Sequence, residues 1–162
     1  MPKEVSELHD VVSAAQNLKG IITHSPLTKN LNYSERFQSN IYFKREDLQI
    51  VRSYKIRGAY NKISSLSNDE KAQGIACANA GNHAQGVAYS CQKLGIKGVI
   101  FMPSPTPKQK IKQVKMFGKD KVEVRLVGDT FDDAYNAAKE YCQENSVAFI
   151  HPFNDRKVIE GQ

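Results

Sequence analysis

The order of apolar and polar residues predicts a helix and a short strand in the first third of the chain. From about Val5 to Leu18 the apolar residues follow the i, i+3, i+4, i+7 spacing of an amphipathic helix, which Ser6 can cap. Gly20 and Pro26 interrupt the pattern that follows, and a short β-prone run covers Ile41–Phe43. We therefore expect a helix, a turn-rich connection and one short strand before residue 50.

Helical and strand patterns then alternate through the rest of the chain. In order, they predict helix Arg57–Leu66, strand Gly74–Ala78, a helix with apolar residues from Ala84 to Leu94, strand Gly98–Met102, a helix capped by Thr106 with Pro107 in its first turn, strand Val122–Val127, a helix after Asp129 and strand Val147–Ile150. We expect Val122, Val124 and Leu126 to point inward, and the buried face of the last helix to comprise Phe131, Ala134, Ala138, Tyr141 and Cys142. Strands alternating with helices of this length predict an α/β fold with a parallel sheet flanked by helices.

The last residues of the chain continue none of these patterns. Gly161 and Gln162 show neither a capping helix nor a closing strand. Because a parallel sheet has both faces covered and usually includes a second half, we expect these 162 residues to be part of a larger protein.

Composition excludes several classes of protein. With 40% hydrophobic and 25% charged residues, the chain is neither disordered, collagen-like nor a coiled coil. Its longest uncharged apolar run is Val99–Met102, far short of the ~20 residues of a membrane helix, and its charged first ten residues do not resemble a signal peptide. Cys77, Cys91 and Cys142 are odd in number and widely spaced, which fits small buried residues in a reducing compartment. We expect a soluble cytoplasmic protein.

The net charge of +6 raises the question of a nucleic-acid partner. The dense stretch of lysines lies between Lys108 and Lys121, in a segment that otherwise has the pattern of an amphipathic helix and its exit turn. A solvated helix face explains these lysines, and no aromatic residues alternate with them to stack on bases. We therefore expect no nucleic-acid partner. His9, His24 and His151 show no metal-ligand spacing, so we also expect no metal.

The segment Asn79–Gly86 follows a predicted strand and opens a helix. Backbone N–H groups and the positive end of the helix dipole meet there, which makes an anion site. It is not a nucleotide phosphate loop, because Val87-Ala88 replaces the Lys-Ser/Thr that such a loop requires. The alternative is an ordinary helix N-terminus capped by Asn82.

A second segment, Ser53–Tyr60, places Lys55 at the start of a predicted helix. The helix dipole disfavours the charged ammonium at that position, and only a neutral amine attacks a carbonyl to form an imine. The alternative is a solvent-exposed lysine on a helix surface.

Together the two segments resemble those of a known family. Ser53-Tyr54-Lys55-Ile56-Arg57-Gly58-Ala59 is similar to the lysine motif of the fold type II pyridoxal-phosphate enzymes, and Asn79–Gly86 to their Ser-Ala-Gly-Asn-His-Ala-Gln-Gly loop. Lys44–Gln49 precedes them at the expected place, and His151–Asp155 resembles the biosynthetic threonine dehydratases in particular. The resemblance covers nearly the whole chain. It implies a tryptophan-synthase-β-like fold, of which residues 1–162 are the N-terminal part of the catalytic domain and about 50–150 the small subdomain.

The resemblance also implies an activity and a site. Lys55 would hold pyridoxal 5′-phosphate and later take the α-proton of the substrate. Asn79, Ala80, Gly81, Asn82 and His83 would form the loop for the substrate carboxylate, and Asn82 would donate a hydrogen bond to the 3′-oxygen of the cofactor. The implied reaction converts L-threonine to 2-oxobutanoate and ammonia in isoleucine biosynthesis, and L-serine is a second substrate that the resemblance allows. A homotetramer is implied for the full-length protein.

Two features limit the match. The family usually has serine or another small residue at the position of Asn79, and we expect this change to leave the backbone donors of the loop unaffected. The glycine-rich phosphate loop of the family and its partner for the pyridine nitrogen come later than Gln162, so we expect the chain alone to be inactive.

Other functions remain open at this stage. One is a related reaction of the same enzyme class, such as serine dehydration, serine racemisation or β-replacement. Another is a non-catalytic anion- or nucleotide-binding module with a flavodoxin-like sheet, which would have no use for an imine-forming Lys55. We expect Glu46 to be a structural salt-bridge partner, Arg57 a charge on a helix face, and His83 a hydrogen-bonding loop residue.

Overall fold

The computed structural model describes residues 6–162 and shows an α/β fold. Its elements in chain order are α1 (Leu8–Asn17), β1 (Leu27–Lys29), α2 (Leu31–Arg36), β2 (Tyr42–Lys44), α3 (Lys55–Ser64), α4 (Asn68–Gln73), β3 (Ile75–Ala78), α5 (Asn82–Leu94), β4 (Gly98–Met102), α6 (Lys108–Gly118), β5 (Val122–Leu126), α7 (Phe131–Asn145), β6 (Ala148–Phe149) and α8 (Arg156–Gly161). Among these described residues, no helix is both long and apolar enough to cross a bilayer.

The predicted parallel sheet is confirmed. Its four strands lie in the order β5-β4-β3-β6, and every neighbouring pair is parallel. Ile75 of β3 is opposite Gly98 on one side and Ala148 on the other. The chain therefore runs outward from β3 through β4 to β5 and then crosses back to place β6 on the opposite side of β3. Such a switch in strand order opens a crevice at the carboxyl ends of the two diverging strands, which is where ligands bind in open α/β sheets.

The sheet divides the core into two apolar clusters. Because side chains alternate along a strand, Ile75 and Cys77 face the side covered by α3, α5 and α6, and Ala76 and Ala78 face α7. The strand residues Ile75, Ala76, Cys77 and Ala78 are all at most 1% exposed. This continuous burial on both faces is typical of a central parallel strand and fixes the point at which β3 ends and the next loop begins.

Several predicted helix starts differ from the structure. The first helix is capped by Glu7, in a capping box with Asp10, and not by Ser6; Val5 lies outside the described residues. Pro107 is the N-cap of α6 and the helix begins at Lys108, so the prediction of Thr106 as cap is wrong. The Thr106 hydroxyl instead donates to the Pro103 carbonyl at 2.6 Å and closes the preceding turn.

Two predicted inward positions are exposed in the structure. Leu126 is 47% exposed because it ends β5, the edge strand of the sheet, beyond the reach of α6. Phe131 is 40% exposed because it is the first residue of α7, where its ring contacts Tyr135 instead of the core. Ala134 and Ala138 are fully buried as predicted.

Some elements were not predicted at all. Strand β1 was not predicted because its three residues are too few to show a period, whereas β2 confirms the β-prone run predicted at Ile41–Phe43. The two strands pair antiparallel, with Thr28 opposite Phe43. The expectation that the chain ends without a further helix is wrong, because Asp155 caps α8 and its side chain accepts a hydrogen bond from the Val158 N–H at 3.1 Å. Helix α8 packs closely on α3: a Cβ at Gly58 would come within 2.5 Å of the Val158 carbonyl oxygen.

A partly buried ion pair fixes the start of α3. The Arg57 guanidinium donates to both carboxylate oxygens of Glu46 at 2.7 Å, and the two side chains are only 19% and 16% exposed. These hydrogen bonds from Arg57 are the main reason that the pKa of Glu46 is lowered to about 2. The expectation of a structural salt bridge at Glu46 is therefore confirmed, whereas that of Arg57 as a simple charge on a helix face is wrong.

Other residues of the Lys44–Gln49 segment extend this network to the chain before it. The Ser25 hydroxyl also donates to Glu46, and the Lys44 ammonium donates to the Ser25 carbonyl at 2.6 Å. The buried amide of Gln49 bonds both backbone groups of Thr23, at 2.7 and 3.0 Å. The segment is thus a clamp that ties residues 23–25 to the start of α3.

The Glu46–Arg57 pair predicts a dependence of stability on pH. Because the folded-state pKa of Glu46 lies below its ordinary value of 4.5, the pair stabilises the fold above about pH 5 and this contribution is lost as pH falls towards 2. We expect Glu46→Gln to lower the free energy of unfolding by about 3 kcal/mol at pH 7 and to flatten this part of the pH profile. Thermal unfolding midpoints of the complete gene product between pH 7 and 2.5 measure both effects.

The neighbouring Asp47 provides the control for this prediction. Its ion pair with Arg45 is exposed, with side chains 57% and 41% accessible, and such pairs contribute little. Asp47→Asn should leave the pH profile close to that of the wild type. Parallel profiles for wild type and Glu46→Gln would show that the pair has no such role.

Candidate functional site

Three segments meet at the crevice between the carboxyl ends of β3 and β6. They are the start of α3 with Lys55, the loop Asn79–His83 that follows β3, here called the anion loop, and the turn His151–Asp155 that follows β6. The first two were predicted from their chemistry, and the third only from its resemblance to a known family. The structure brings all three together.

Lys55 is the first residue of α3, and its side chain is partly buried. Its ammonium donates to the Pro152 carbonyl at 2.8 Å and to Gln162 Oε1 at 3.0 Å, and it lies 5.9 Å from the centre of the Phe153 ring. The interpretation of Lys55 as an ordinary solvent-exposed lysine is therefore wrong. Within residues 6–162 its nitrogen contacts neutral oxygens and makes no salt bridge, which leaves the amine accessible for chemistry.

A glycine sets the distance between Lys55 and the anion loop. A Cβ at Gly86 of α5 would stand 3.1 Å from both the Lys55 carbonyl oxygen and the Ile56 nitrogen. The two helices thus pack backbone to backbone within one turn of both N-termini. The start of α3, which carries Lys55, consequently lies beside the first turns of α5.

The anion loop owes its shape to Asn79. The Asn79 side-chain oxygen accepts hydrogen bonds from the Gly81 N–H at 2.8 Å and from the Ala84 N–H at 3.3 Å. Asn79 therefore engages one backbone donor within the loop, the Gly81 N–H, and the expectation that the change from a small residue leaves the donors unaffected stays a prediction. The N-cap of α5 is Gly81, so the prediction of Asn82 as the cap is wrong.

Three backbone donors of the anion loop are unused. The N–H groups of Ala80, Asn82 and His83 make no hydrogen bond within the described part of the chain. They belong to the loop and first turn of α5, where the helix dipole favours negative charge. The side chain of Asn82 is exposed and likewise has no partner among residues 6–162. The arrangement suits an anion held by backbone N–H groups beside a side-chain amide.

His83 is a neutral residue in this site. It is 2% exposed, and burial, together with the nearby charges of Lys55 and His151, lowers its pKa to about 4. Because the Ile150 carbonyl can only accept, Nε2 carries the proton and donates to it at 3.1 Å. The Nδ1 atom is then a buried acceptor without a partner in the described residues. His83 is thus a hydrogen-bonding residue, as expected, and it links the anion loop to the end of β6.

The turn after β6 was missed as part of the site. His151 Nδ1 accepts hydrogen bonds from the N–H groups of Phe153 at 3.2 Å and Asn154 at 2.8 Å, and this turn presents the Pro152 carbonyl to Lys55. Burial and the charge of Lys139 lower the pKa of His151, which keeps Nδ1 available as an acceptor. A histidine followed by proline and asparagine signals a turn, but nothing local in that pattern indicates which residue the turn contacts.

The residues present fit part of a pyridoxal phosphate site. The Lys55 amine, which lacks a carboxylate partner, suits the aldehyde of the cofactor. The unpartnered amide of Asn82 suits a ring oxygen, and the three unused N–H groups suit a carboxylate. His83 has an unpartnered polar atom buried beside them. The chain contains no glycine-rich segment resembling a phosphate loop, so these residues match the aldehyde side of the cofactor.

Comparison with known proteins agrees with this chemistry. The chain is 56% identical over 156 residues to a protein of Halalkalibacterium halodurans named L-threonine dehydratase biosynthetic IlvA. This match covers 96% of the chain but 38% of that relative, so the chain spans little more than a third of its length.

Solved structures share the fold. The processed form of threonine deaminase isoform 2 from Solanum lycopersicum is 37% identical with a TM-score of 0.84, over 99% of this chain and 51% of that one. Maize serine racemase superposes with a TM-score of 0.90 at 24% identity, over 98% of this chain and 47% of that one, which shows the fold alone. The family model described as pyridoxal-phosphate dependent enzyme matches residues 18–162. The chain therefore belongs to the family of pyridoxal-phosphate dependent enzymes.

Proposed function

We propose that this chain provides the N-terminal part of the catalytic domain of a threonine dehydratase, with residues 50–150 forming the small subdomain. The observation that carries this proposal is the partly buried amine of Lys55, which shares a crevice with the unused N–H groups of the anion loop. The name of the relative from Halalkalibacterium halodurans supports L-threonine as the substrate. The reaction would convert one L-threonine to one 2-oxobutanoate and one ammonia, with one water leaving as the β-hydroxyl and one returning in hydrolysis.

Each residue of the site would have its own role in this reaction. Pyridoxal phosphate, when bound, supplies an electron sink for the pair left by loss of the α-proton. The amine of Lys55 would hold the cofactor, and the same amine, when free, would take that proton. The N–H groups of Ala80, Asn82 and His83 would bind the substrate carboxylate, and the Asn82 side chain would donate to the 3′-oxygen of the cofactor. This fixed geometry lowers the entropic part of the barrier.

The positive charge of the site also favours an amino-acid substrate, because such a substrate carries a carboxylate. The start of α5 and the Lys55 ammonium are both positive, and no side-chain carboxylate among residues 6–162 forms a salt bridge with Lys55. A small anion such as an amino-acid carboxylate balances this charge. A purely anion-binding module has no need of the Lys55 amine. Dehydration of L-serine would use the same residues, and threonine is favoured by the names of the relatives.

We further propose a cytoplasmic homotetramer that acts in isoleucine biosynthesis. The relatives are named biosynthetic, which supports the metabolic role. Cys77, Cys91 and Cys142 are free thiols, and burial raises the pKa of Cys91 to about 12, which suits a reducing compartment. The tetramer rests on resemblance to the family.

The first test of this function concerns Lys55. Borohydride treatment of the complete gene product with bound cofactor should attach pyridoxal to Lys55, and Lys55→Ala should abolish production of 2-oxobutanoate without loss of folding. Peptide mass spectrometry locates the label, and circular dichroism checks the fold. Lys93→Ala, an exposed lysine of α5, is the control and should keep both label and activity. Label on any lysine other than Lys55 would refute the assignment.

The second test concerns Asn82. If its amide orients the cofactor ring, Asn82→Ala should reduce kcat by about tenfold to a hundredfold and change cofactor affinity far less, because orientation matters most in the transition state. Steady-state kinetics and cofactor titration measure the two effects. Asn68→Ala is a matched control, since Asn68 is the first residue of α4 as Asn82 is of α5. An unchanged kcat would leave Asn82 with only a structural role.

A further inference from the structure

The side chain of His151 closes the turn that follows β6. Its Nδ1 atom accepts hydrogen bonds from the N–H groups of Phe153 at 3.2 Å and Asn154 at 2.8 Å. A ring nitrogen that accepts carries no proton, so Nε2 holds the proton of the neutral imidazole. Edge-on contacts with Tyr135 and Phe149, at 6.1 and 6.0 Å between ring centres, anchor the imidazole to α7 and β6.

The hydrogen bond to the Phe153 N–H orients the Pro152 carbonyl. These two groups belong to one trans peptide plane, in which they point in opposite directions. While Nδ1 holds the N–H on one side, the carbonyl faces the other, where it accepts a hydrogen bond from the Lys55 ammonium at 2.8 Å. The proline ring already fixes the φ angle of Pro152. The imidazole thus acts on Lys55 through one rigid peptide group.

The Lys55 nitrogen contacts two neutral oxygens. It donates to the Pro152 carbonyl and, at 3.0 Å, to Gln162 Oε1. A tetrahedral nitrogen that is bonded to its own side chain then has one direction left, which is that of the lone pair when the amine is neutral. Because a carbonyl oxygen can only accept, it orients the amine without competing for this lone pair. The lone pair is what must receive the α-proton in the proposed reaction.

We propose that His151 is the positioning residue for the free amine of Lys55, and that its neutral imidazole is the form that positions it. The neutral Nδ1 holds the peptide group between Pro152 and Phe153, whose carbonyl then fixes the direction of the amine. A protonated imidazole has a hydrogen at Nδ1 in place of the acceptor, so both closing bonds are lost and the peptide group can rotate. This inference rests on the function proposed above and extends it to a residue that acts on the amine without contacting it.

The surroundings of His151 favour its neutral form. Burial, followed by the charge of Lys139, lowers its pKa from the ordinary value of 6.5, and the charge of Asp155 has a smaller opposite effect. We therefore expect the turn to hold near neutral pH and to open as pH falls below 6.5. The titratable groups around the ring are Tyr135 and Lys139 of α7, His83 of α5, Asp155 at the start of α8 and, beyond Pro152, Lys55 of α3.

The first experiment measures the turn without cofactor. Hydrogen exchange of the cofactor-free complete gene product, followed by mass spectrometry of peptides spanning residues 148–158, reports the Phe153 and Asn154 amides. His151→Phe keeps an aromatic ring but loses the acceptor, so these amides should exchange about tenfold faster. His151→Asn loses the ring but keeps an oxygen that can accept from the N–H two residues on, so the Phe153 amide should stay protected. Unchanged exchange in His151→Phe would overturn the proposal.

The same measurement tests the neutral form of the imidazole. Protection factors, which correct for the intrinsic effect of pH on exchange, should fall in the wild type as pH is lowered from about 7.5 to about 5 and stay constant in His151→Asn. His9→Asn, at an exposed histidine of α1, is the control and should follow the wild type. A wild-type profile as flat as that of His151→Asn would refute the role of the neutral imidazole.

The second experiment measures proton transfer by Lys55. L-2-Aminobutyrate has no β-leaving group, so exchange of its α-hydrogen with solvent deuterium in the holoenzyme reports that transfer alone. At saturating ligand, His151→Phe should slow this exchange about tenfold to a hundredfold, because a misdirected amine affects the transition state most. The dissociation constant, measured by cofactor absorbance, should change less than about threefold. His151→Asn should restore most of the rate, whereas an equal loss of rate in both variants would overturn the proposal.

The outcomes distinguish this inference from the proposed function. An unchanged rate of α-hydrogen exchange in His151→Phe would overturn the inference, whereas pyridoxal attached to Lys55 by borohydride would still uphold the function. Absence of that label in the wild type would instead refute the function and with it the role of His151. If His151→Phe does not fold, the pH profile of the wild-type amides still decides, because it requires no variant.

Discussion

The backbone contact between α3 and α5 at Gly86 is the constraint on which the site depends. A Cβ there would stand 3.1 Å from backbone atoms of Lys55 and Ile56, which is closer than most Cβ contacts, and these atoms cannot move independently of their helix. Close packing brings the N-termini of two helices together, one with the Lys55 amine and the other with N–H groups that are unused within residues 6–162. A larger residue at Gly86 would require α3 and α5 to shift apart by a few tenths of an ångström.

This packing has an electrostatic cost, since two helix N-termini and the Lys55 ammonium place like charge in one crevice. The structure offsets it from outside the crevice: Glu46 neutralises Arg57, two residues after Lys55 in α3, and burial keeps His83 uncharged. Within the crevice, neutral groups such as the Pro152 carbonyl contact Lys55. The remaining positive charge favours the binding of an anion such as a carboxylate.

The sequence predicted the sheet, its strands and the two reactive segments, because each depends on local signals. Strand Gly98–Met102 was predicted to the residue, and Lys55 and Asn82 were selected from the segments around them. The helix caps and the short elements could not be predicted equally well. Three-residue strands have no measurable period, and whether Glu7 or Ser6 caps α1 depends on a reciprocal bond with Asp10 that forms only after folding.

A motif match does not reveal contacts between residues that are far apart in the sequence. The resemblance identified which residues form the anion loop. It did not predict that the Asn79 side chain accepts hydrogen bonds from two backbone N–H groups, because these bonds depend on how far that side chain reaches toward the first turn of α5. The His151 turn shows the same limit, because its carbonyl meets Lys55 across 97 residues of sequence. The hydrogen bonds that shape a loop thus depend on individual side chains that a motif match does not resolve. The function of such a loop follows from its unused donors more than from its sequence.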